Sequence, residues 1–411
     1  MQSTLTEGFS AQAPDGKSSA YLFRVFDADR PLSPSARFSL DQIDEVLLGR
    51  ADSRTISRTD EGGKRTLRVG IPDRWMSTAH ARLSRVMRTW VLEDTKSKNG
   101  VRRNGEAVMR AELQNGDVLE LGRTFWVVKL AEAPGVDLES DAIPVTTLSP
   151  SLALHFAEVM KLAKSNVSIA LHGPSGSGKE VLARAIHEAS GRKGPFIAVN
   201  CGALPDDLVE SELFGHRKGA FSGALEDRPG LIRSSSGGTL LFDEVGDLPL
   251  EAQPALLRVL QEKQVVPVGG AAHVPVDLRV LSATHRKLGA LCEKGLFRDD
   301  LRARLTGYEA TLPALVDRRE DLGLMIGALI SRYAPQRQFS IQFSIAAARA
   351  LFAFDWPLNV RELEKALEAA LVFASSGTVE LEHLPPAVRT GPVKRAVKDA
   401  DELRSADESA G

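Results

Sequence analysis

Cysteine is nearly missing from this chain: Cys201 and Cys292 are the only two in 411 residues. Two thiols exclude a disulfide framework and suit a reducing compartment, which points to the cytoplasm. Long apolar runs are missing as well, since none approaches the roughly twenty residues that span a bilayer. Met1 to Lys17 has neither the basic start nor the apolar centre of a signal peptide, so no membrane partner is expected. The net charge is only −2, which leaves no bulk field to favour nucleic acid or acidic membrane. Internal repeats are absent. What remains is ordinary: 43% hydrophobic residues, enough for normal cores, in a length that suits two or three domains.

The strongest signal lies between residues 167 and 190. An apolar run, Val167-Ser-Ile-Ala-Leu171, leads into Gly173-Pro174-Ser175-Gly176-Ser177-Gly178-Lys179-Glu180. A helical pattern follows, with Val181, Leu182, Ala185 and Ile186 on one face. Strand, glycine-rich turn and helix make a phosphate-binding loop. The glycines let the backbone wrap an anion, main-chain N–H groups and the helix N-terminus face it, and Lys179 adds a mobile charge. Glu180 stands where a Ser or Thr hydroxyl usually helps hold magnesium.

Residues further on fit a nucleotide triphosphate. Thr239-Leu-Leu-Phe-Asp243-Glu244 is an apolar strand ending in two carboxylates, in the form of a Walker B element. Asp243 is expected to hold the magnesium ion and Glu244 to orient the attacking water. Another strand, Leu278 to Thr284, ends at His285, where a polar group can sense the terminal phosphate. Between these elements lies Gly219-Ala220-Phe221-Ser222-Gly223-Ala224. An aromatic residue flanked by glycines suits a mobile loop that presents Phe221 to a partner. A Phe buried in a tight turn is the alternative.

From about Thr147 to Pro386 the sequence resembles the AAA+ activators of sigma-54 RNA polymerase. Carrying the resemblance are the glutamate after the loop lysine, Asn200-Cys-Gly-Ala-Leu204, Glu212-Leu-Phe-Gly-His216, Gly237-Gly-Thr-Leu240 and Leu256 to Glu262. Phe297-Arg-Asp-Asp-Leu301 and Trp356-Pro-Leu-Asn-Val-Arg-Glu-Leu363 continue the series. The resemblance implies ATP and Mg2+ as cofactors and sigma-54 RNA polymerase as partner. It makes Gly219–Ala224 the loop that engages the sigma factor, with Ser222 where the family usually has Thr. Asn200 corresponds to a switch residue pairing with Glu244. Arg298 and Arg304 match arginines that reach a neighbouring subunit's nucleotide, with Arg302 between them, and Arg361 matches the sensor arginine of the helical lid. Arginines acting in trans imply a homo-oligomeric ring, a hexamer.

The N-terminal third reads differently. Val46-Leu-Leu, Thr66-Leu-Arg-Val, Trp90-Val-Leu and Phe125-Trp-Val-Val read as short strands. Lys98-Asn99-Gly100 and Arg103-Asn104-Gly105 are turn signals, so an antiparallel β-sandwich is expected. Gly49-Arg50, Ser77-Thr-Ala-His80, Ser97-Lys98-Asn99-Gly100 and Asn104-Gly105 together resemble a forkhead-associated (FHA) domain, with a long first interval over 51–69. That resemblance implies binding of a phosphothreonine-containing protein or of a Ser/Thr kinase. Arg50 suits bidentate pairing with the phosphate, the Ser77 hydroxyl can donate to it, Lys98 adds charge and Asn99 bonds the peptide backbone. His80 is expected to brace the loops.

The expected architecture is therefore multidomain: an all-β, FHA-like sandwich followed by an α/β P-loop AAA+ core with a helical lid. The expected boundaries are a flexible N-terminus (1–20), FHA domain (21–130), solvated tether (131–146), ATPase core (147–318), lid (319–388) and flexible tail (389–411). The tail has few large apolar residues and charges of alternating sign. With Gly411 as the natural end, no helix-turn-helix and no direct sequence-specific DNA binding are expected. The function expected is an ATP-driven transcription activator regulated by a phosphothreonine signal. Competing readings are a phosphopeptide-dependent scaffold with an inactive ATPase and an AAA+ remodeller of another target.

Overall fold

The computed structural model describes residues 19–131, 137–140 and 146–390. Most of the expected flexible N-terminus, parts of the expected tether and nearly all of the expected tail lie outside the described residues. Among those described, no helix is long and apolar enough to cross a membrane. The chain divides into two compact units. One comprises 1–142, 319–357 and 364–411; the other comprises 143–318 and 358–363.

The first unit begins with two packed sheets. One runs Leu138–Ser140, Ser35–Ser39, Ser19–Asp27, Thr124–Ala131, Val118–Leu121, Val101–Arg103, Glu106–Val108. The other runs Arg110–Leu113, Thr89–Asp94, Ala81–Val86, Glu45–Arg50, Lys64–Ile71, Thr55–Glu61. Alternate residues point inward, as period two requires. Leu22, Val46, Leu48, Leu67, Leu83, Leu92, Leu119 and Trp126 thus fill one core between the sheets. Asn104 and Gly105 both take positive φ, the geometry of a tight hairpin turn, and join Val101–Arg103 to Glu106–Val108.

Two details correct the sequence reading. The sandwich is not wholly antiparallel, because Glu45–Arg50 pairs parallel with Lys64–Ile71. The long 51–69 interval explains this: after Arg50 the chain crosses to an edge hairpin, Thr55–Glu61, and returns beside its own start. The tether is also not wholly solvated. Leu138–Ser140 adds an edge strand to Ser35–Ser39, where Asp137 pairs with Arg58 at 2.8 Å and Glu139 pairs with Arg54. Acidic residues at alternate positions meet arginines beside an otherwise open edge, so the backbone gains partners there.

The helical lid belongs to this same unit rather than standing as a separate body. It holds Leu322–Tyr333, Ile345–Ala353 and most of Asn359–Phe373, with Gln342–Phe343 paired to Thr378–Val379. Ser344 caps the second helix, its hydroxyl accepting from the Ala347 N–H.

The second unit is a parallel five-stranded sheet in the order Phe196–Asn200, Thr239–Asp243, Arg279–Thr284, Ile169–His172, Tyr308–Thr311. Its strands are near-continuous apolar runs because both faces are covered. Leu240 and Phe242 face one core and Leu241 the other. The carboxyl ends of the strands gather the residues that the sequence singled out, the usual position of ligand sites in such sheets.

Candidate functional site

The loop after Ile169–His172 takes three glycines through positive φ before the helix Lys179–Ser190 begins. Gly176 shows why the position is restricted: a Cβ there would lie 2.2 Å from the Leu358 carbonyl. Lys179 is buried, and its Nζ donates to the carbonyls of Gly173 (2.9 Å) and Pro174 (3.3 Å), while Glu244 Oε1 lies 3.8 Å away. The buried Ser177 hydroxyl has no hydrogen-bond partner among the described residues. A cationic side chain folded on loop carbonyls beside an unpaired hydroxyl is a cradle with donors to spare, and it fits a polyphosphate. Glu180 is exposed and pairs with Arg184 at 2.7 Å.

Asp243 and Glu244 end the strand Thr239–Asp243. Burial, reinforced by the neighbouring Glu244 charge, raises the Asp243 pKa above the usual aspartate value. Glu244 adopts left-handed backbone (φ 50°) and turns its carboxylate to His285, whose Nδ1 lies 2.7 Å from Oε2. Among the described residues no cluster of three or more His, Cys, Asp or Glu forms a metal cage. Two carboxylates beside a phosphate cradle still fit magnesium, which characteristically binds through one or two carboxylates, phosphate oxygens and water.

The other expected residues fall as follows. Asn200 does not pair with Glu244: its side-chain oxygen accepts from the Gly202 N–H at 3.0 Å, capping the turn Cys201–Ala203. The left-handed turn at Glu244 gives that carboxylate to His285 instead. Arg361 Nη1 donates to the Ser175 hydroxyl at 3.2 Å, within the cradle. Arg298 is exposed and engaged by Asp300 at 2.8 Å, and Arg304 is exposed on the same helix, Asp299–Leu305. Arg302 is half-buried against Gly289. No hydrogen bond or ion pair among the described residues joins Arg298 or Arg304 to the phosphate loop of their own chain.

Two loop braces escaped the sequence reading. Asn359 Nδ2 donates to the Ser175 carbonyl (2.9 Å), and its Oδ1 accepts from the Leu315 N–H (2.8 Å). Arg318 donates to the Ser177 carbonyl. Asn359 sat within the Trp356–Leu363 run, but nothing in the residue type marked it as a buried clasp.

The Gly219–Ala224 loop closes on itself, the Gly219 N–H donating to the Ala224 carbonyl at 2.8 Å. Phe221 is 36% exposed and sits edge-on to His216, with centroids 5.0 Å apart. Arg217 pairs with Asp227 at the base, and Asp227 also accepts from the Lys218 N–H at 2.8 Å. The Phe is thus neither buried nor fully extended.

In the sandwich, Arg50 is exposed at the end of Glu45–Arg50, and its N–H donates to the Ser77 carbonyl at 2.8 Å. The Ser77 hydroxyl accepts from the Lys98 N–H (3.0 Å), and Asn99 Nδ2 donates to the Trp75 carbonyl (2.7 Å). Arg50, Ser77, Lys98 and Asn99 are thereby gathered at one end of the sandwich. His80 is fully buried beneath them, accepting from the Ser77 N–H at Nδ1 (2.9 Å) and facing the Gly100 carbonyl with Nε2 (3.2 Å). Burial lowers its pKa, so a neutral imidazole with hydrogen on Nε2 satisfies both contacts. It braces the two loops, as expected.

Comparison with known proteins follows the same division. Residues 145–311 match the sigma-54 interaction domain, 316–401 the AAA+ ATPase lid domain and 46–122 the FHA domain. The chain thus carries a sigma-54 interaction domain, an AAA+ ATPase lid domain and an FHA domain. It is similar to regulatory protein AtoC of Escherichia coli (strain K12), 43% identical over 264 residues, 64% of this chain and 56% of that protein. Response regulator protein PilR of Pseudomonas aeruginosa is 42% identical over 257 residues, 62% of this chain and 58% of that one. NtrX from Brucella abortus, solved in complex with ATP, shares 32% identity at a TM-score of 0.53, covering 64% of this chain and 60% of that one. The chain spans little more than half the length of these relatives. The FHA module is a separate match in this chain.

Proposed function

We propose that this protein is a cytoplasmic, ATP-hydrolysing activator that remodels sigma-54 RNA polymerase and takes its input from phosphothreonine through the FHA domain. The observation that carries the reading is the Gly219–Ala224 loop, with Phe221 partly exposed, on an AAA+ core whose phosphate cradle is intact. Lys179 leaves the loop carbonyls for the outer phosphates when ATP enters. Asp243 would hold magnesium, which would supply charge neutralisation at those phosphates when bound. Glu244 orients the attacking water and takes its proton, and Arg361 steadies the phosphates from the lid side. Arg298 and Arg304, exposed and away from their own loop, act on the neighbouring subunit's nucleotide in a hexameric ring. Phe221 and Ser222 contact the sigma factor. Arg50, Ser77, Lys98 and Asn99 hold the phosphothreonine.

Steady-state ATPase rate against protein concentration, with and without a phosphothreonine peptide, tests this reading. A specific rate that rises with concentration, as a ring assembles, and responds to peptide is expected. An inactive ATPase that binds phosphopeptide would favour a scaffold. An active ATPase that fails to retain sigma-54 in a pull-down would favour another remodelling target.

A further inference from the structure

The lid and the FHA sandwich share one compact unit, and the contact between them is built like a core. Phe26 and Phe125 of the sandwich meet Phe343 and Phe352 of the lid, all four buried. Phe125 and Phe352 stack at 4.8 Å, and Phe26 meets Phe343 edge-on at 5.3 Å. The helix Leu322–Tyr333 lies so close to Ser19–Asp27 that a Cβ on Gly323 would be 1.9 Å from the Val25 carbonyl. Two ion pairs flank the aromatic cluster. Arg349 grips Glu120 bidentately at 2.6 Å through both contacts, and Lys129 reaches the buried Glu320 at 2.7 Å. Aromatic stacking, a glycine-sized approach and bidentate pairing belong to an interface that holds two modules in one register.

A continuous hydrogen-bonded route joins this interface to the FHA loops. Asn99 donates to the Trp75 carbonyl (2.7 Å), and the Trp75 N–H donates to Asp73 (2.8 Å). The buried Asp73 carboxylate also accepts from the Arg123 N–H (2.7 Å) and the Thr124 hydroxyl (3.0 Å). The Arg123 carbonyl accepts from the Ala28 N–H (3.0 Å), and the Ala28 carbonyl accepts from the lid's Phe343 N–H (2.7 Å). At its other end the lid helix Asn359–Phe373 starts with the residues that clasp Ser175 and Gly176 of the phosphate loop.

We infer that the FHA sandwich is fastened to the ATPase lid as one body and that, through Asp73 and the Phe26–Phe125–Phe343–Phe352 cluster, phosphopeptide occupancy and nucleotide occupancy are energetically coupled. The inference rests on the proposed phosphothreonine input and ATPase activity. It adds the route and the interface. Coupling of this kind is reciprocal: whatever factor nucleotide imposes on peptide affinity, peptide imposes on nucleotide affinity.

The full-length protein is titrated with a fluorescent phosphothreonine peptide selected from a degenerate library, with and without saturating ADP, and then with ADP in the presence and absence of peptide. The expected result is a change of at least about fivefold in Kd, in either direction, equal in the two titrations. Glu120→Arg should bring that ratio close to one while leaving the nucleotide-free peptide Kd unchanged and speeding amide exchange at Phe343. Glu120→Arg combined with Arg349→Glu should restore both. A wild-type ratio of one with binding intact overturns the inference. So does a full ratio in Glu120→Arg despite faster Phe343 exchange. If no phosphothreonine peptide binds, the sensor reading fails, and the coupling is judged by the KM for ATP. A KM shifted in Glu120→Arg and recovered in the swapped pair supports the fastened lid, and an unmoved KM overturns it.

Discussion

Glu244 and His285 are joined by a 2.7 Å contact between the ends of two neighbouring strands, Thr239–Asp243 and Arg279–Thr284. The bond holds the carboxylate within 3.8 Å of Lys179 and apart from Asn200, which is occupied in capping its own turn. Glu244→Gln keeps the shape of this arrangement and removes the proposed base. Turnover should fall by roughly 10²- to 10⁴-fold while nucleotide affinity holds. Near-normal hydrolysis in single-turnover assays would take Glu244 out of the mechanism.

Asp243 carries a stability cost that its proposed role in holding magnesium explains. Burial first, then the Glu244 charge, raises its folded-state pKa above the unfolded value. The folded state therefore binds the proton more tightly, and the carboxylate's penalty is present above the folded pKa and fades as pH falls toward the unfolded value near 4. Asp243→Asn should raise the melting temperature at pH 7.5, the gain shrinking toward pH 4, while ATP turnover is lost. A lower melting temperature at pH 7.5, or a gain that does not vary with pH, would contradict this account of the site.

The FHA loops separate a proposed binding residue from a bracing one. Arg50 is exposed, so Arg50→Ala should change stability by no more than about 0.5 kcal/mol and abolish phosphothreonine-peptide binding. His80 is fully buried with two loop contacts, so His80→Ala should destabilise the sandwich by about 2–4 kcal/mol and weaken peptide binding with it. Denaturation and anisotropy titrations check both. Equal binding of phosphorylated and unphosphorylated peptide by the intact protein would end the sensor role.

These sites were legible in the sequence because their chemistry is local. Gly173–Glu180 encodes a turn, a charge and a helix start within eight residues, and the carboxylates of Asp243 and Glu244 end a recognisable apolar strand. What the sequence hid depends on partners far along the chain. Leu138–Ser140 reads as part of an acidic tether until Arg54 and Arg58 are placed opposite it. No periodicity reveals that Phe26, Phe125, Phe343 and Phe352 meet one another across the sandwich and the lid. Asn359 and Arg318 brace the phosphate loop through its carbonyls, a role open to any polar side chain that packing brings there.

The surface loop offers a further test. Ser222 is exposed on the loop that presents Phe221, and no hydrogen bond among the described residues joins its side chain to the phosphate loop, so Ser222→Ala should leave ATP turnover within about twofold of wild type, the range of an ordinary surface change. Transcription activation should fall sharply, and Ser222→Thr, which keeps the hydroxyl, should retain it. Open-complex formation at the normal rate in Ser222→Ala would show that the hydroxyl is not the contact.

The most direct measurement is permanganate reactivity of promoter DNA in a purified system of sigma-54 RNA polymerase, this protein and nucleotide. The account predicts melted bases at the start site with ATP, none with a non-hydrolysable analogue and none with Glu244→Gln. Melting that proceeds without hydrolysis, or vigorous ATP turnover with no melting at any sigma-54 promoter tried, would contradict it.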